Sequence, residues 1–127
     1  MIASHRRALY WLCALSLATA SLAHPPDAYA DAPSDEGAME QKRAMAKSKY
    51  EEGAKAYSAG RFKDAVDLFL AADYLAPSAP LSFNIARAYE KLGDKDKAAD
   101  SYGRALLLRP KDEAARSGLA RVGGRAG

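Results

Sequence analysis

Cysteine, histidine and tryptophan are nearly missing from this chain. Its 127 residues hold one Cys, two His and one Trp, and all four lie at or before His24. Beyond that point no thiol remains for a disulfide or a thiolate nucleophile. No imidazole remains to act as general base or to bind a transition metal. Blocks of one charge sign are missing too. The 19 Lys+Arg and 16 Asp+Glu are interspersed, so the formal charge of +3 does not form a nucleic-acid footprint. No window alternates apolar and polar residues long enough for a strand, so the chain reads as all-α. The paired carboxylates Glu51-Glu52 and Asp94/Asp96 fall on exposed helix or turn positions without a pocket. The expectation is a protein that is not an enzyme and needs neither cofactor nor metal.

A membrane-length apolar run is also absent. Ala8 to Ala23 is the longest, at 16 residues, where a span needs about 20. It follows the positive His5-Arg6-Arg7 and precedes a small-x-small site at Ala28-Tyr29-Ala30, the order of a secretory signal peptide. Ser21-Leu22-Ala23 is a second cleavage site. Tyr10-Trp11 after the Arg pair fits a twin-arginine motif poorly, and Cys13, deep in the run behind Leu12, does not suit lipidation. Residues 1–30 are therefore expected to be a signal peptide, cleaved after Ala30 or after Ala23, with an uncleaved anchor as the alternative. The product would be periplasmic or secreted. Removing Arg6, Arg7 and Asp27 with the leader lowers the formal charge to +2.

Residues 31–45 form a flexible Asp/Pro/Ser lead-in and the start of a first helix, with Ser34 a candidate N-cap. Composition rich in Ala, Glu, Lys and Met carries that helix from about Asp35 to Ala59, with Met39, Arg43, Ala46, Tyr50, Ala54 and Tyr57 near one stripe. A second helix is predicted over Phe62–Leu75, with Ala65, Leu68, Phe69 and Ala72 inward. A third covers Leu81–Leu92, with Ile85, Ala86, Tyr89 and Leu92 as its stripe. A fourth covers Lys95–Leu108, with Ala98, Tyr102, Ala105 and Leu108 inward. Residues 111–127 read as a short capping helix and a Gly-rich tail.

Two of these segments match each other. Gly60, Ala65, Asp67, Phe69, Ala72, Leu75 and Pro77 recur 33 positions later as Gly93, Ala98, Asp100, Tyr102, Ala105, Leu108 and Pro110. With Gly53 and Ala86 added, these units (46–78 and 79–110) resemble the tetratricopeptide repeat, a helix–turn–helix of about 34 residues. The resemblance implies an α-solenoid of two repeats, extended by the long first helix and closed by the terminal one. It departs from the family where Ala56, not Tyr57, takes the first-helix tyrosine position. It departs again at Lys49 and Ser82, which replace large aromatics and leave Tyr50 and Phe83 adjacent. The Lys/Asn/Arg carboxylate clamp of some members is absent, because Tyr50 and Ala54 stand at two of its positions and only Asn84 fits.

The resemblance further implies a partner-binding concave face lined by first helices, with Tyr50, Tyr57, Phe83, Asn84, Arg87, Glu90 and Lys91 as candidate contacts. Tyr and Arg are frequent interface anchors, although Tyr50, Tyr57 and Phe83 could equally be core. The basic C-terminal segment reads as a cap over the last repeat, since a solenoid end must hide its apolar face. The expected function is a non-catalytic protein-interaction module holding a peptide or helix in that groove, with no nucleic-acid partner. The alternatives are a self-associating structural protein (a homo-oligomer) and an accessory subunit of an envelope complex. Because Trp11 precedes both cleavage sites, the exported product should show no tryptophan fluorescence; an indole emission band from it would contradict processing.

Overall fold

The computed structural model describes residues 35–123. The signal-peptide and Ser34 readings, and the end of the Gly-rich tail, lie outside the described residues. Five helices follow in order: α1 Asp35–Ser58, α2 Phe62–Leu75, α3 Ala79–Leu92, α4 Lys95–Leu108 and α5 Glu113–Arg121. Consecutive helices pack in sequence, α1 on α2, α2 on α3, α3 on α4 and α4 on α5. Helix packs on helix throughout, with no strand among the described residues.

The turns show why the helices stop where they do. Gly60 and Gly93 adopt φ of 77° and 80°, a left-handed backbone that side chains with a Cβ resist. Each closes the same pair of bonds. Gly60 N–H donates to Tyr57 O at 3.0 Å and Arg61 N–H to Ala56 O at 2.9 Å. Gly93 N–H donates to Glu90 O at 3.1 Å and Asp94 N–H to Tyr89 O at 3.0 Å. This is the Schellman arrangement, which satisfies carbonyls orphaned at a helix end. At the starts, the side chains of Ser78, Asp94 and Asp112 accept from the backbone N–H of Leu81, Lys97 and Ala115. Ser78 caps with Pro80 in the first turn, so α3 begins at Ala79, two residues before its predicted start.

Two equivalent cores hold the stack. One joins Ala56, Ala65, Phe69, Ala72, Leu81 and Ile85, the other Ala86, Tyr102, Ala105, Ala115 and Leu119. Phe69 and Ala72 recur as Tyr102 and Ala105, while Leu81 and Ile85 recur 34 positions later as Ala115 and Leu119. Thus α5 covers α4 as α3 covers α2; the terminal helix takes a first-helix position. Small residues set the spacing. A Cβ on Gly53 would lie 2.8 Å from the Phe69 ring, and one on Gly118 would lie 2.3 Å from Tyr102 Cζ. On the far side, Arg104 reaches the buried Asp73 carboxylate at 2.8 Å and ties α4 to α2.

Some predicted inward positions turn out otherwise. In α1 the buried residues are Ala46, Gly53 and Ala56, while Met39 and Tyr50 are exposed. For Met39 the reason is length. The 14 residues of α2 run back along only the last part of the 24-residue α1, so the first ten residues have no antiparallel partner. Leu92 and Leu108 are also exposed. Leu92 lies in the last turn before Gly93, and no second helix is described after α5 to cover Leu108.

Ala105 is fully buried, so Ala105→Phe should overpack the junction and lower stability by about 1–3 kcal/mol. Nothing lies within 4 Å of a Cβ added at Gly103, so Gly103→Ala should instead stabilise α4 by about 0.5–1 kcal/mol. Chemical denaturation of both variants checks the packing; equal midpoints would contradict it.

Candidate functional site

The first helices of successive units, α1, α3 and α5, bring their side chains to one cleft of about 350 Å³. It is lined by Tyr57, Arg87, Glu90, Lys91 and Arg121. Tyr57 sits in the last turns of α1. Its ring meets Phe62 edge-on at 5.2 Å, so the aromatic after the turn Gly holds it in place. Arg87 projects from α3 with its guanidinium 5.1 Å from the Tyr57 ring centre and 6.0 Å from that of Phe83. Phe83 is fixed in turn by an edge contact with Tyr102 at 5.6 Å. Cation–π contacts of this kind orient a guanidinium without neutralising it.

The other wall is an ion-paired triad. Glu90 accepts from Arg121 Nη2 at 3.0 Å, pairs with Arg121 Nε at 2.5 Å, and accepts from the Tyr102 hydroxyl at 2.8 Å. The Arg121 hydrogen bond holds the Glu90 carboxyl below the ordinary 4.5, against an opposing push from burial. Burial, then the bond to Glu90, pushes the Tyr102 hydroxyl up to about 12. Glu90 raises Arg121 in its turn. The two junctions are built on one plan. Tyr57 and Glu90 are 33 apart and Arg87 and Arg121 are 34 apart, so each Arg meets the residue at the same place on the preceding first helix. At one junction that residue is a ring, at the other a carboxylate. In consequence Arg87 makes no ion pair among the described residues, and neither does Lys91.

Of the seven predicted contact residues, Tyr57, Arg87, Glu90 and Lys91 meet in this cleft. Phe83 supports Arg87 and is half-buried. Tyr50 and Asn84 lie farther along the same helices, where Asn84 Nδ2 donates to Tyr50 Oη at 3.3 Å. Tyr50 also packs on Phe69 with ring centres 5.7 Å apart, and borders a second, largely apolar cleft of about 310 Å³ with Ala76, Pro77, Pro80 and Leu81. Tyr50 and Phe83 therefore each touch core and groove at once. Sequence reasoning missed Arg121, read as part of a cap, and the hydroxyl of Tyr102, read only as a core ring. Aligning Asp112 with Ser78 as N-caps would have exposed the Arg87–Arg121 equivalence. Among the described residues no three carboxylates converge to hold a metal. No described helix is long and apolar enough to cross a membrane.

The paired helices, turn glycines and small residues at the crossings define a helical-repeat solenoid. Residues 79–112 match the tetratricopeptide repeat family model, so this stretch, α3 through the N-cap of α5, is a tetratricopeptide repeat. The α1–α2 hairpin precedes that match and carries the same residues 33 positions earlier. No curated protein matches the chain.

The triad makes stability depend on pH in two windows. As pH falls, the unfolded chain protonates Glu90 first, so its contribution is complete above 4.5 and lost through its lower folded value. As pH rises, the unfolded tyrosine ionises first, so the Tyr102 contribution is complete below 10 and lost through about 12. Urea midpoints should decline on both flanks, with Glu90→Gln flattening the acid limb and Tyr102→Phe the alkaline one. Limbs unchanged by these substitutions would contradict the coupling.

Proposed function

We propose that this protein is an exported, non-catalytic interaction module that docks a peptide or helix along the face shared by α1, α3 and α5. Tetratricopeptide repeats generally mediate protein–protein contacts, which supports the class. The observation that carries the particular site is Arg87, held by two rings in an open cleft and left without a carboxylate. A guanidinium costs nothing to leave solvated, but a partner that covers it gains a pre-oriented fork of donors. Aromatic and Arg anchors at the centre of a concave patch are the usual hot spots of protein interfaces. Adaptor action in the envelope would follow from the leader-like residues 1–30.

A self-associating structural role is a second reading, favoured by one feature of the opposite face. Tyr74 and Leu107 stand 33 apart and are 89% and 82% exposed, an apolar pair repeated on successive second helices. Sedimentation separates the two, since self-association makes apparent mass rise with concentration. For the groove, Arg87→Glu should reduce partner recovery in a crosslinking pull-down from the envelope fraction at least several-fold. Far-UV circular dichroism should stay the same. Undiminished recovery would count against this face.

A further inference from the structure

Resting on the groove reading, we propose that its occupant is an acidic peptide segment. An Asp or Glu side chain within the segment docks on Arg87 and Lys91, and an apolar side chain about three residues away enters the Tyr50 cleft. Charge points to the acid. Arg87, Lys91 and Arg121 face one carboxylate, Glu90, which Arg121 and the Tyr102 hydroxyl already occupy. The cleft therefore presents two unpaired cations on one helix, four residues apart and so on one face. The Tyr57 and Phe83 rings, 5.1 and 6.0 Å from the Arg87 guanidinium carbon, take up none of its N–H donors, and a fork of paired donors matches the two oxygens of a carboxylate.

Position points to a side chain inside a segment, not to a chain end. Arg87 lies between Lys91 and Arg121 in one direction and Asn84 and Tyr50 in the other, so a bound chain runs past it both ways. Tyr50 and Tyr57 are seven residues apart on α1, two helical turns and about 10 Å, which an extended peptide covers in about three residues. At the Tyr50 end the lining is largely apolar, with Ala46, Ala76, Pro77, Pro80 and Leu81, and Arg43 and Lys47 of α1 stand beside them. This arrangement shares only Asn84 with the clamp that other repeats of this kind use, and its anchor is a ring-supported arginine.

The test uses fluorescence anisotropy with the chain from Asp31 and a labelled, C-terminally amidated probe. The probe's sequence is Ser-Leu-Gly-Ser-Glu-Ser-Gly-Leu-Ser, which offers Leu three residues from Glu in either chain direction. Changing the probe Glu to Gln should weaken binding about tenfold or more, the size of one charge-assisted hydrogen bond. Arg87→Gln in the protein should erase that difference, and changing both Leu to Ser should weaken binding independently. Equal binding of the Glu and Gln probes, lost in Tyr50→Ala, overturns the acid anchor but keeps the groove. Tighter binding of a probe with Gln and a free terminal carboxylate overturns it in favour of a chain end. No binding of any probe overturns it as well. The groove reading itself falls separately, if Arg87→Glu leaves the pull-down unchanged.

Discussion

The close approach of an aromatic ring to a residue with little or no side chain is the contact on which the rest of the molecule depends. Phe69 lies where a Cβ on Gly53 would intrude, and Tyr102 lies where one on Gly118 would. Neighbouring crossings use Ala56, Ala65, Ala72, Ala86, Ala98 and Ala105, all fully buried. A ring set against a bare helix surface gains dispersion contacts over its whole face while bringing two axes close together. With helices that close, the Schellman turns at Gly60 and Gly93 can reverse the chain without a long loop. The side chains on the first helices then converge from three successive elements.

That convergence turns a packing pattern into a site. The plan that seats α3 on α2 also seats α5 on α4, so an arginine arrives at the same place in each junction. One junction closes itself with Glu90, Arg121 and Tyr102, and the other leaves Arg87 on rings. Electrostatically this is an asymmetric groove built by a symmetric scaffold. The closed junction fixes α5 as a wall, and the open one supplies unpaired charge. A two-unit stack buries little core by itself, so α5 matters for stability as well as shape.

Much of the fold was legible because it rests on residues with few conformational options. Gly60, Gly93, Pro77 and Pro110 mark the corners, and the α2 and α4 limits fall where the pattern puts them. The exposed positions were less legible. Met39, Leu92 and Leu108 sit on the periodic stripes but beyond the reach of a neighbour, and periodicity carries no information about where a neighbouring helix ends. At the site, Tyr57, Arg87, Glu90 and Lys91 followed from the repeat register. Arg121 did not, because α5 follows at a spacing of 34 instead of 33 and no second helix follows it among the described residues. The pairing of Glu90 with Tyr102 was equally hidden, since a core ring and a polar bond occupy opposite ends of one side chain.

The most direct test is the proton NMR spectrum of Gly118 and Gly53 in this protein. If rings lie against both, their α protons are shifted upfield and show Overhauser contacts, Gly118 to Tyr102 and Gly53 to Phe69. Random-coil shifts at Gly118 without contact to Tyr102 would leave α5 undocked and the cleft without a wall, contradicting the account.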